Sequence, residues 1–121
     1  MILLDTSVWI DHLRKSEDLV GDLLAQDHIL AHPFVIGELA LGSMRRYDLM
    51  VTALLELPQA AMATTSEVLH FVKRHALMGS GIGYVDAHLL ASAKLMPSTL
   101  LWTRDKRLKK IATALGVGFS E

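Results

Sequence analysis

The chain opens on the apolar run Met1-Ile2-Leu3-Leu4, which ends abruptly at Asp5. A short, wholly apolar run bounded by polar residues predicts a strand buried on both faces, the pattern of a central parallel strand. From Thr6 or Ser7 to about Leu13 the pattern predicts a short helix, and Ser16-Glu17-Asp18 opens a second one. There Leu19, Val20, Leu23 and Leu24 recur at helical spacing as an apolar stripe. His28-Ile29-Leu30-Ala31-His32 reads as the second strand. Pro33 suits the first turn of the next helix, where a missing N–H costs little. Phe34, Val35, Ile36, Leu39, Ala40 and Leu41 make that helix apolar around much of its circumference, with Glu38 as its one charge and Gly42 as its stop. A further helix runs from Arg45 to Leu57 and ends at Pro58.

The second half repeats the alternation. Gln59 to Ala63 is a weak third strand, and Thr64, Thr65 or Ser66 with Glu67 opens a helix through about Leu77. Gly79 to Gly83 is a loop, followed by a helix from Tyr84 to Leu95 that Met96-Pro97 terminates. Thr99 to Thr103 is a strand, Asp105 to Leu115 a helix, and Val117-Gly118-Phe119 a last short strand. Parallel strands need crossovers of this kind. The fold class is therefore α/β: a three-layer α/β/α sandwich around a central, mainly parallel sheet of four or five strands, built as one domain over residues 1–121. Neither side of the Gly79–Gly83 loop has enough residues for its own core.

Composition narrows the class. With 51% apolar and 21% charged residues, the chain has globular composition rather than that of a disordered one. It has no cysteine, which excludes disulfide frameworks and thiolate metal sites and fits a reducing compartment. No apolar run is long enough to span a bilayer, and the N-terminus lacks a basic signal region. The reading is a soluble, cytoplasmic protein. The apolar excess leaves helix surface to be covered and predicts a homodimer. The net charge of −1 advertises no nucleic acid, but Arg104, Lys106, Arg107, Lys109 and Lys110 put five of the twelve Lys and Arg within seven positions. Such a cluster is either a phosphate-contacting patch or a solvated helix face.

Four of the thirteen acids break apolar segments. Asp5 ends the first strand, Glu38 interrupts the most apolar helix, Asp86 stands in Tyr84-Val85-Asp86-Ala87-His88-Leu89-Leu90-Ala91, and Asp105 follows the strand ending at Thr103. Asp5 alone reads as the cap of the next helix. In the company of the other three it reads as a metal ligand, with capping left to Thr6 or Ser7. Buried carboxylates need partners, and the cations nearest in sequence to Glu38 and Asp86 are Arg45 and Lys94, beyond a helical turn. One divalent cation satisfies all four acids, and oxygen-only ligands suit Mg²⁺ or Mn²⁺. Such an ion activates water and neutralises a phosphodiester. Thr6, Ser7 and Thr103 are placed to orient ligands and waters, and Arg104 and Lys106 to hold a nucleic-acid backbone.

The competing chemistries fit less well. The six histidines read as surface or supporting residues, with His88 on another helix face than Asp86. Trp9 and Trp102 read as core. A carboxylate-metal phosphatase working through an aspartyl phosphate would carry a second Asp two residues after the first, where this chain has Ser7. A non-catalytic binding module would have no need of intact acids. The glycines of Gly79–Gly83 do not follow a strand, which excludes a dinucleotide loop.

Asp5-Thr6-Ser7, Glu38 in its apolar helix, Gly83 to Ala91 around Asp86, and Trp102-Thr103-Arg104-Asp105-Lys106-Arg107-Leu108 together resemble the PIN-domain ribonucleases, in particular the VapC-type toxins of type II toxin–antitoxin modules. The resemblance covers the whole chain in order. It implies a Mg²⁺- or Mn²⁺-dependent endoribonuclease that leaves a 3′-hydroxyl and a 5′-phosphate, a homodimer, and a cognate VapB-type antitoxin that blocks the site. It also implies metal binding by Asp5, Glu38, Asp86 and Asp105. Some relatives carry a further acid near the last one. Here none lies between Asp86 and Asp105, nor after Asp105 until Glu121, so a second metal ion has little to bind.

Overall fold

In a computed structural model describing all residues from Met1 to Glu121, the three best apolar runs pair as one parallel sheet. β1 (Ile2–Leu4) lies in the middle, flanked by β2 (Ile29–Leu30) and β3 (Leu100–Trp102). Leu3 pairs with Leu30 on one side and Leu101 on the other. Successive side chains of a strand point to opposite faces. Leu3 and Leu4 are both fully buried, as are Leu101 and Trp102 to within 1%, so helices cover both faces and the architecture is the expected three-layer sandwich.

The helices are α1 (Thr6–Arg14), α2 (Asp18–Ala25), α3 (Pro33–Ala40), α4 (Tyr47–Glu56), α5 (Thr65–Arg74), α6 (Tyr84–Leu95) and α7 (Lys106–Ala114). Their starts follow from local chemistry. Thr64 and Glu67 form a reciprocal capping box at α5. Asp105 caps α7 by accepting from Leu108 N at 3.0 Å. At α1 the cap is Asp5 itself, whose Oδ1 accepts from Thr6 N at 2.7 Å, not Thr6 or Ser7. A carboxylate has two oxygens, so capping with one leaves the other to accept from Ser7 and Thr103 at the sheet edge.

The sheet has three strands rather than four or five. The two missing strands survive as single parallel bridges at its edges, Ala31 to Gln59 and Leu101 to Gly118. After Pro58, which has no N–H, the Gln59 side chain donates to the carbonyls of Leu54 and Leu57 at the end of α4, and the segment turns away from β2 after Ala60. At the other edge Leu101 N and O bond to Val117 and Phe119, and the pairing goes no further. Gly118 sits so close to α7 that a Cβ there would lie 3.0 Å from Thr113 N and 2.8 Å from its hydroxyl.

Candidate active site

The parallel sheet delivers the ends of β1 and β3 to one edge. Asp5 N donates to Trp102 O at 2.9 Å, tying the two ends together. Asp5 is 7% exposed and accepts three hydrogen bonds: Thr6 N on Oδ1, and on Oδ2 the hydroxyls of Ser7 at 2.9 Å and Thr103 at 2.7 Å. Thr103 Oγ1 in turn accepts from Asp105 N at 3.1 Å, and Ser7 Oγ from Arg104 N at 3.0 Å. One network therefore fixes both strand-end acids and the turn into α7.

Glu38 and Asp86 arrive from helices. Glu38 Oε1 accepts from Thr6 Oγ1 at 2.7 Å, which links α3 to the first turn of α1. Glu38 is exposed rather than buried, because α3 shows solvent a polar stripe of Gly37 and Glu38. Asp86 occupies the first turn of α6, where Gly83 N donates to its Oδ2 at 3.0 Å. Burial raises the pKa of Asp86 above its ordinary value, and the charges of Asp5, Asp105 and Glu38 push it further in the same direction; the Gly83 hydrogen bond opposes them. Asp86 thus senses the other three acids, and all four share one electrostatic neighbourhood.

No cation inside the protein balances that cluster. Every ion pair in the chain belongs to Arg104. The donor set is hard oxygen from carboxylates and hydroxyls, which fits Mg²⁺ or Mn²⁺. The acids are not drawn into a closed cage, since no three acidic or histidine side chains are preassembled around one point. An open arrangement suits Mg²⁺, which keeps several waters and binds through one or two carboxylates plus substrate phosphates.

Two readings of individual residues change. Arg104 is not a free phosphate contact. Its guanidinium donates to Asp11 at 2.6 Å, to both carboxylate oxygens of Glu17 at 2.6 and 2.7 Å, and to Glu121 at 3.0 Å, and it lies 5.5 Å from the centroid of the Trp102 ring. The Arg104 bond lowers the pKa of Glu17, and the Trp102 indole N–H followed by Arg104 lowers that of Glu121. These partners lie 93, 87 and 17 positions away, beyond any sequence pattern. Lys106 remains exposed at the start of α7 with no ion pair. The histidines are not all peripheral either. His32 is fully buried and His88 is 3% exposed, with ring centroids 6.4 Å apart. His32 caps α3 by accepting from Phe34 N at 3.0 Å, and burial pushes its pKa down to about 4.

Comparison with known proteins identifies the family. The PIN domain matches residues 2–114. Ribonuclease VapC32 of Mycobacterium tuberculosis, found in two strains, is 48% identical over all 121 residues, and the match spans 98% of the relative. No helix is long and apolar enough to cross a membrane. The chain belongs to the PIN-domain family, among its VapC-type members.

Proposed function

We propose that the protein is the toxin of a type II toxin–antitoxin module, acting as a Mg²⁺- or Mn²⁺-dependent endoribonuclease. The observation that carries this reading is that Asp86 feels the charges of three further acids, Asp5, Asp105 and Glu38, while none of the four is paired with a cation of the protein. The full-length identity to a ribonuclease supports it.

Asp5, Glu38, Asp86 and Asp105 would hold the ion. When bound, it supplies the positive charge that acidifies a water and neutralises the phosphodiester. Thr103 and Ser7 hold Asp5 in one orientation through its Oδ2, and Thr6 does the same for Glu38. Lys106 contacts the RNA backbone beside Asp105. Cleavage leaves a 3′-hydroxyl and a 5′-phosphate.

The phosphatase alternative loses ground at Ser7, whose hydroxyl is engaged with Asp5 where that chemistry needs a second carboxylate. A non-catalytic module would not keep an acidic cluster that repels itself. The chain works in the cytoplasm, forms a homodimer and pairs with a VapB-type antitoxin. Exposed Met62, Leu69 and Leu95 supply apolar surface for such partners.

RNA cleavage by wild type and Asp5→Asn, each with Mg²⁺, Mn²⁺ or EDTA, tests the assignment. Activity is expected only in the metal-loaded wild type. Equal activity in the variant, or in EDTA, overturns it.

A further inference from the structure

We infer that the cavity bordered by α1, α3 and α4 is a nucleotide subsite, in which Arg14, Arg45 and Arg46 hold phosphates of the RNA strand next to the scissile bond. The inference rests on the ribonuclease reading above. The cavity has a volume of about 690 Å³, within the roughly 300–1,000 Å³ of ligand pockets. Glu38 lies in its wall, so the cavity opens directly beside the acidic cluster.

The three arginines border one space yet come from two places. Arg14 ends α1, while Arg45 and Arg46 are consecutive in the turn before α4. Arg46 takes a left-handed conformation, with φ 52° and ψ 53°, a geometry that few residues other than glycine adopt. All three are exposed, and none forms an ion pair or a side-chain hydrogen bond within the protein. Three uncompensated guanidiniums around one cavity match a polyanion, whose phosphates they bind in a forked geometry.

The rest of the lining is partly apolar. Leu13, Met44 and Met50 line the cavity, and an unstacked base of single-stranded RNA can lie on a guanidinium plane with its remaining apolar surface against these side chains. Methionine adapts to flat, variable shapes, which accommodates any base. The site would thus grip the strand by its phosphates and accept bases with little selection.

The test compares wild type with Arg14→Ala and with the Arg45→Ala/Arg46→Ala double variant, using Lys73→Ala, outside the cavity, as control. Cleavage of a fluorescein-labelled single-stranded RNA is measured from 50 to 300 mM salt, with binding of the same RNA followed by anisotropy. The double variant is expected to raise KM about tenfold or more with kcat within about threefold. Its salt slope should fall by roughly 0.7 per lost phosphate contact, and Arg→Lys replacements should restore that slope. Unchanged KM and salt slope in protein that still cleaves would overturn the subsite. So would variants that weaken only antitoxin binding, since the cavity would then be a protein-docking surface. If the wild type cleaves nothing, the ribonuclease reading has failed, and the anisotropy series alone decides whether the arginines bind RNA.

Discussion

Thr103 Oγ1 donates a 2.7 Å hydrogen bond to Asp5 Oδ2 across 98 positions of sequence, while the same oxygen accepts from Asp105 N. A single hydroxyl thus couples both strand-end acids. It also fills one of the Asp5 lone pairs that a metal ion would otherwise take, leaving a defined remainder for coordination.

Thr103→Val removes that hydroxyl while keeping the β-branched shape of the strand end. Hydrogen bonds to charged groups contribute about 1.5–3 kcal/mol, and support of a ligand is typically worth about 10–100-fold in activity or metal affinity. The variant should lose about 2 kcal/mol of stability and at least tenfold in kcat/KM, with a higher Mg²⁺ requirement, whereas Thr103→Ser should stay near wild type. Urea unfolding together with a metal titration of cleavage checks this. Wild-type metal dependence in the valine variant would remove Thr103 from the site.

Asp86 carries a carboxyl whose ionisation the fold resists. Its folded pKa is raised above 3.8 by burial and by three neighbouring acids. The stability it contributes is therefore present below that ordinary value and is lost as pH rises through the folded one. Asp86→Asn never ionises and still offers an oxygen to Gly83 N. In EDTA at pH 7 it should melt at a higher temperature than wild type, and the gap should close toward pH 4. Mg²⁺ at 100 times its Kd should stabilise wild type by about 2.7 kcal/mol and the variant far less. Thermal melts with and without metal would expose the idea if Asp86→Asn were the less stable protein in EDTA.

The legible parts of the molecule were those written in local pattern. Leu3-Leu4 before Asp5 and Leu101-Trp102 before Thr103 marked the central strand, its neighbour and the edge they share. Glu38 and Asp86 stood out because an acid inside an apolar helix needs a reason. The edge strands were over-read, because a short apolar segment says nothing about whether Pro58 or close packing of Gly118 on Thr113 cuts its pairing short. The Asp5 cap was assigned to its neighbours because the two oxygens of a carboxylate can serve two roles, and one letter of sequence does not divide them. Arg104 was misplaced because its carboxylates come from α1, the start of α2 and the C-terminus, a convergence that only the tertiary fold creates.

Arg104 and Lys106, two residues apart, should separate stability from RNA contact. Arg104→Gln leaves Asp11, Glu17 and Glu121 facing one another without their shared cation, with Glu121 held only by the Trp102 indole N–H. Isolated surface ion pairs contribute little, but a multidentate network contributes more. The variant should melt several degrees lower, with its KM for RNA within twofold of wild type. Lys106→Ala should do the reverse, raising KM and leaving the melt unchanged. Calorimetry beside cleavage kinetics decides, and a large KM effect at Arg104 with no loss of stability would return it to the RNA surface.

His32 should govern how the protein responds to mild acid. It is fully buried, its Nδ1 accepts from Phe34 N, and its Nε2 has no partner. Burial first, and then the charge of nearby His88, pushes its pKa from 6.5 down to about 4. Below pH 6.5 the unfolded chain takes up a proton that the folded one refuses. Stability is therefore present above 6.5, falls as pH drops toward 4, and levels off below that. One pKa unit corresponds to about 1.4 kcal/mol, so the loss between pH 6.5 and 5 is on the order of 2 kcal/mol. His32→Asn preserves the cap, because asparagine is a good N-cap, and cannot titrate. It should be less stable at pH 7, since the smaller side chain leaves space in the core, yet lose at most half as much between pH 6.5 and 5. Urea unfolding at several pH values isolates this difference from the cavity cost, which does not vary with pH. Parallel pH curves for variant and wild type would show that the acid response arises elsewhere.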